Sequence, residues 1–265
     1  MFLRWLLTVF PREMLQGWAL LRPDLVLWLA LSALVAVATM SAPPPGGDAP
    51  PPLLPFLVSI TSGLVMTMLP AVLFSAQLEG RQLTWGPVLM LMARKAGPLV
   101  AYAIIAIFIA WTAEAAMLVS VSFALGDGPA LIPISAVAGI VILVSILVRF
   151  SFLPFLVILL EKDQVPAALW QWQRAPALAP VFWPLTASAR LTEGSRWRLA
   201  FYTLIGQVLP WLAARVPEVA VLPASILALL ALTTVQGVYF VHYRRRCEET
   251  GVPPPSLPLD AVLTA

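Results

Sequence analysis

The stretch IPISAVAGIVILVSILVRFSFLPFLVILL, residues 132–160, carries a single charge, Arg149. It is longer than the roughly 20 apolar residues that cross a bilayer as helix. Its apolar residues follow one another without alternating with polar ones, so the pattern is not that of a barrel strand. In hydrocarbon the backbone N–H and C=O groups find no water, and a helix satisfies them within the segment. The excess length predicts a span that tilts or emerges on one side.

Working outward from this run, five more appear, at residues 25–41, 53–77, 98–124, 197–213 and 219–241. The run at 197–213 is the least apolar, with Gly206, Gln207 and Pro210 inside it. The whole chain of 265 residues is 60% hydrophobic and 11% charged, too little charge to coat a water-soluble fold of this size. The expected fold class is an all-α integral membrane protein. It has six transmembrane helices, an N-terminal amphipathic interfacial helix and cytoplasmic amphipathic segments.

The connecting segments refine that expectation. In residues 1–22, Arg4, Thr8, Arg12 and Gln16 recur every four positions and share one helical face, while Trp5, Leu6, Val9, Phe10, Met14 and Trp18 fill the rest. Such a helix lies in the headgroup plane, and Pro11 should kink or split it. Residues 23–246 form the six-helix domain. Within it, residues 85–94 read as a short amphipathic helix closed by Ala93-Arg94-Lys95-Ala96, ahead of the third span. Residues 161–198 are the longest polar connection, and the apolar piece at 178–185, too short to span, is expected at the surface. Residues 247–265 read as a disordered, Pro-rich cytoplasmic tail. Cys247 at its start reads as a solvated thiol; one cysteine makes no internal disulfide or thiolate metal cage.

Charge orients the layout. Lysine and arginine resist translocation, so their excess marks the cytoplasmic side. Arg4, Arg12 and Arg22 precede the first span; Arg81, Arg94 and Lys95 lie between the second and third. Lys162, Arg174, Arg190, Arg196 and Arg198 lie between the fourth and fifth, and Arg244, Arg245 and Arg246 follow the sixth. Fourteen of the sixteen basic residues thus fall on one side. Only Arg215 falls on the other, and Arg149 lies within a span. Both termini are expected in the cytoplasm.

Two intramembrane charges are candidates for function by default. Glu114 lies in the third span, roughly 24 Å from its cytoplasmic start, and Arg149 lies roughly 25 Å from the outer start of the fourth, counting ~1.5 Å per residue. They occupy opposite leaflets, which argues against a direct pair. Gln207 adds a polar group in the fifth span, a residue type more often used as glue between helices. Arg196 and Arg198 flank Trp197 at the mouth of that span. With Arg190 and the Arg244-Arg245-Arg246 run, they are candidates for contact with lipid headgroups or partners. His242 is the only histidine, which rules out multi-histidine metal sites and leaves histidine-based triads short of partners. No metal or organic cofactor is expected. No basic run is interleaved with aromatics in a polar domain, so nucleic acid is not an expected partner.

Three motifs stand together: Gly80-Arg81-Gln82-Leu83-Thr84-Trp85 leading to Ala93-Arg94-Lys95-Ala96-Gly97-Pro98; Ser188-Ala189-Arg190-Leu191-Thr192-Glu193-Gly194-Ser195-Arg196-Trp197-Arg198; and Tyr243-Arg244-Arg245-Arg246 followed by Glu248, Glu249 and Gly251. In these the chain resembles a bacterial family of six-span membrane proteins. That family is related to the membrane domain attached to some glycerophosphodiester phosphodiesterases and to the uncharacterised YciC-like proteins. The resemblance covers most of the chain by layout and about thirty residues by motif; the insertion at 164–187 departs from it. It implies a multi-pass protein of the bacterial inner membrane; the phosphodiesterase's catalytic domain has no counterpart in these residues, so its activity is not carried over. The function expected is a non-enzymatic scaffold or accessory whose partners are the phospholipid bilayer and other membrane proteins. The alternative is a small permease or lipid-handling transporter using Glu114 and Gln207.

Overall fold

The structure is a computed structural model that describes residues 2–40, 53–81, 83–125, 131–171, 178–213 and 215–253. Among the described residues the chain is all helical. Five of its helical stretches are long and apolar enough to cross a membrane: Phe10–Val37, Thr61–Glu79, Trp85–Phe123, Ala136–Leu159 and Ala220–Thr250. The Pro-rich stretch at 42–52, Arg174 and the residues from 254 onward lie outside the described residues.

The N-terminal segment breaks where proline dictates. Helix α1 (Phe2–Thr8) gives way at Val9 to α2 (Phe10–Leu21), which carries Pro11 in its first turn, where the missing N–H has no intrahelical partner to lose. Only a 3-10 turn at Arg22–Asp24 separates α2 from α3 (Leu25–Met40), so the two form one nearly continuous rod, and the apolar stretch begins at Phe10 rather than at residue 25. The Asp24 carboxylate accepts a 2.6 Å hydrogen bond from Gln77 at the far end of α4 (Leu53–Glu79).

Three sequence expectations are corrected. Residues 85–94 do not make a separate amphipathic helix: α5 runs unbroken from Trp85 to Leu125 and absorbs Pro98. The run at 132–160 is not one helix. It divides into α6 (Leu131–Arg149) and α7 (Leu153–Leu159), because Pro154 cannot donate to the preceding turn and opens a new helix instead. The piece at 178–185 lies at the surface only in its first half, where Leu178, Pro180 and Val181 are exposed. It leads into α9 (Trp183–Leu191), where Pro184, Leu185, Thr186, Ala187, Ser188 and Leu191 are buried. The helix is held there by Ser188 Oγ donating to the Arg149 carbonyl at 2.8 Å.

The core forms around α7, six of whose seven residues are buried. It packs against α4, α5 and α9, with the short α8 (Ala167–Trp170) beside α9. The long α11 (Glu218–Thr250) crosses α2, α3, α4, α9 and α10 (Arg196–Ala213). Where α7 meets α11, Phe155 stacks on Tyr243 with ring centres 5.3 Å apart and meets Phe240 edge-on at 5.4 Å. Cys247 sits fully buried in this core, which corrects its reading as a solvated thiol. The helix continues to Thr250 and stops at Gly251, whose left-handed backbone (φ 72°) lets Val252 N–H close back on the Cys247 carbonyl.

The α5–α6 hairpin is different. No described α5 side chain beyond Leu99 is buried, and none on α6 before Val148. Large apolar side chains such as Phe108, Trp111, Val137 and Ile140 stand exposed along it. α10 is not among the five apolar stretches: Arg196 and Arg198 open it, and Gln207 and Pro210 interrupt it.

Candidate functional site

The densest polar constellation lies where α2, α10 and α11 meet. Between apolar helices in lipid, close approach comes from small residues and shape, because apolar burial gives little drive. Here the small residues are Gly17 and Gly237. A Cβ on Gly237 would stand 2.7 Å from the Gly17 carbonyl oxygen, and one on Gly17 would stand 2.5 Å from that of Thr234. The two backbones therefore touch. The buried face of α2 runs Glu13, Gly17, Leu21, one residue per turn, so the contact at Gly17 places Glu13 one turn along, inside the same interface.

Glu13 is buried, with its side chain 6% exposed. Tyr202 on α10 donates a 2.6 Å hydrogen bond to Oε2. Arg198, one turn earlier on α10, donates to Oε1 at 3.3 Å. His242 on α11 stands with Nε2 3.3 Å from the same oxygen, though off hydrogen-bond alignment. Trp5 closes the cluster toward the chain start, edge-on to Trp197 at 4.7 Å and to Phe201 at 5.3 Å. The arrangement compensates one carboxylate with a guanidinium, a phenol and an imidazole on two other helices. Every one of these groups faces Glu13, so its chemistry is that of a clasp between three helices.

The basic residues singled out in the sequence gather at this same end. Arg246 Nε donates to the Leu191 carbonyl at 3.0 Å and its Nη1 pairs with Glu249; Arg244 pairs with Glu248 at 3.2 Å and Arg196 with Glu193 at 3.0 Å. Arg190 donates to the Gln171 carbonyl at 3.2 Å. Lys95 pairs with Glu161 at 2.9 Å and fastens the start of α5 to the end of α7. Arg245 and Trp197 are exposed, and Arg198 is turned inward to Glu13. The structure thus brings Arg190, Arg196, Trp197, Arg198 and Arg244 to Arg246 together.

It does not bring Glu114 and Arg149 together. Glu114 is exposed on α5, with Oε1 lying along α6 at Gly139. Arg149 is ten residues further along α6, a rise of about 15 Å, and is also exposed. The Gln207 side chain lies outside the described residues.

Beside the clasp, a cavity of about 390 Å³ opens between α4, α5, α6, α7, α10 and α11. Its walls are apolar apart from Thr67, Ser151, Thr203, Gln236 and Tyr239. Thr203 and Tyr239 hydroxyls are 2.7 Å apart.

Sequence reasoning missed Glu13, Tyr202, His242 and the cavity residues. A signal for Glu13 was present. It sits one position past Arg12, on the face that repeats Glu13, Gly17, Leu21, and a glycine four residues after a carboxylate in an amphipathic helix marks a face that can approach another backbone.

No family model matches the chain, and neither a curated protein nor a solved structure does.

Proposed function

We propose that this chain is a non-enzymatic protein of the bacterial inner membrane, a scaffold or accessory that holds lipids or other membrane proteins at its basic end. In this reading six helices cross the bilayer, α10 included, and both termini face the cytoplasm. α10 has 18 residues, about 27 Å of helix, close to the ~30 Å of hydrocarbon. The six-span bacterial family that the three sequence motifs resemble has the same layout.

One observation carries the reading. Cross-links fasten Glu13 to Arg198, Lys95 to Glu161, Ser188 to Arg149 and Arg246 to Leu191, so the segments that carry the basic residues meet at one end of the bundle. Exposed Arg4, Arg12, Arg94 and Arg245 leave that end cationic. Such an end attracts anionic headgroups, by about 1 kcal/mol per cation near the surface.

Purification in a mild detergent, followed by identification of what travels with the chain, tests this. A recurrent membrane protein or anionic lipid is the expected result, lost when Arg12, Arg94 and Arg245 are replaced by Gln. A chain that carries neither sinks the reading. Reporters fused after Gly47 and after Gly251 test the layout and must report opposite sides.

The lipid-handling alternative draws support from the cavity. It draws none from Glu114, which lines no part of it.

A further inference from the structure

We propose that the cavity binds a neutral long-chain alcohol taken laterally from the bilayer, with its hydroxyl against Gln236 and Tyr239 and its chain along the apolar wall. The inference rests on the membrane-spanning reading of the chain and adds a ligand inside the bundle.

Size admits it. About 390 Å³ lies within the ~300–1,000 Å³ usual for ligand pockets. The lining contains no charged residue, so a phosphate, carboxylate or ammonium head would enter without a counter-charge and is selected against.

The hydrogen-bonding capacity left open then decides the head. The hydroxyls of Thr67 and Ser151 donate within their own helical turns, to Gly63 and Val148 carbonyls at 2.7 and 2.9 Å. Thr203 donates likewise to the Leu199 carbonyl at 2.8 Å, so the 2.7 Å contact with Tyr239 is the phenol donating to Thr203. The Tyr239 oxygen keeps its lone pairs. The Gln236 carboxamide oxygen is buried with no hydrogen-bond partner. The hydroxyl donors in this wall are therefore engaged, the Gln236 and Tyr239 oxygens are open acceptors, and the Gln236 carboxamide N–H groups remain as donors beside them. An uncharged head that both donates to these oxygens and accepts from the Gln236 amide completes the set, and an alcohol is the simplest such head; an ether can only accept.

The route is visible too. Ile107 and Leu143, which line the cavity, are 57% and 50% exposed at mid-length of α5 and α6. At that depth the surroundings are hydrocarbon, so the mouth opens to acyl chains.

Photolabelling of the purified full chain in detergent tests this, with hexadecanol bearing a diazirine on its chain as the probe. Its methyl ether and its phosphate ester serve as comparisons. The expected result is competable adducts on cavity residues of α5, α6, α10 or α11. The alcohol should be preferred over the ether several-fold, up to about tenfold for one neutral hydrogen bond, and the phosphate should label least. Gln236→Leu should shrink the preference for alcohol over ether, and Gln236→Leu combined with Tyr239→Phe should erase it, while both retain labelling. Ala110→Phe should fill the space and abolish labelling, with size-exclusion profiles showing that each variant folds. Competition by a diacylglycerol against a polyprenol then separates glycerol-based from isoprenoid sources. Adducts outside the cavity, equal labelling by alcohol and ether, or labelling that unlabelled alcohol does not displace would overturn the proposal. Co-purification of a protein partner with the cavity unlabelled would end this inference and leave the scaffold reading standing.

Discussion

At the junction of α2, α10 and α11 a glutamate is buried and met from two helices by Arg198, Tyr202 and His242. On the α5–α6 hairpin another glutamate, Glu114, is exposed, and no ion pair to it exists among the described residues. Both lie in apolar helices, where an uncompensated carboxylate is expensive. One region meets that cost with partners drawn from elsewhere in the chain; the other leaves its carboxylate exposed, on a hairpin that buries almost nothing. A charge built into a packed junction fixes which helices meet. A charge on an exposed hairpin fixes no contact.

The largest effect should come from Glu13→Ala. It strands a guanidinium, a phenol and an imidazole around an empty space. Breaking a buried pair costs ~3–5 kcal/mol, and the lower end applies because Arg198 is about a third exposed and can turn to water. Thermal unfolding in detergent should show a clear drop, and a smaller one for Glu13→Gln, whose amide oxygen still accepts from Tyr202. An Ala variant that melts with the wild type would erase the contrast between the two regions.

Next comes Gly237→Ala, at about 2 kcal/mol. The added Cβ meets Gly17 backbone atoms at 2.7 and 2.9 Å, which cannot step aside without moving a whole helix. Gly206→Ala provides the control. Its Cβ meets only the tip of Leu232, at 3.2 Å, so less than about 1 kcal/mol is expected. Equal losses in the two variants would show that the α2–α11 crossing is no tighter than an ordinary contact.

How far these regions were legible in the sequence follows from the same physics. Long uncharged runs mark helices in lipid regardless of partners, so the helical class and the exposed face Arg4, Thr8, Arg12, Gln16 were readable from spacing. Pro98 and Pro154 show where spacing fails. One lies within α5 without breaking it and the other starts α7, and tertiary packing decides which. The clasp was hidden because Glu13, Arg198 and His242 are remote in sequence, and each alone reads as a residue at a helix end. Glu114 drew attention because a lone charge in an apolar run is conspicuous; Glu13 did not, because it stands beside Arg12 in a segment that carries several polar residues.

A smaller effect is expected at the basic end. Lys95→Ala removes the pair with Glu161; the lysine side chain is only 15% exposed, but the carboxylate is 61% exposed and screened by water, so the pair contributes about 1 kcal/mol. The melting temperature should barely move, and added salt should shrink the difference further. A large, salt-insensitive loss would mean that the start of α5 is held as tightly as the clasp, and the hairpin would then be anchored at its root.

The smallest effect should be Glu114→Gln. The side chain is exposed and makes no ion pair among the described residues, so stability should stay within about 0.5 kcal/mol. Growth should be unchanged as well if the chain works as a scaffold. A transporter that relies on this carboxylate must instead lose its phenotype while the fold survives, because Gln keeps the shape and removes only the charge. Combining Glu114→Gln with Glu13→Ala sharpens the point. The two sites share no described partner, so their stability effects should add within about 0.5 kcal/mol. Coupling beyond that would mean that the hairpin senses the state of the clasp. The cavity lies between them, bounded by α5 and α6 on one wall and by α10 and α11 on another. Helix α6 also packs directly on α10, so strong non-additivity that vanishes in Ala110→Phe would trace the connection to that space rather than to the helix contact.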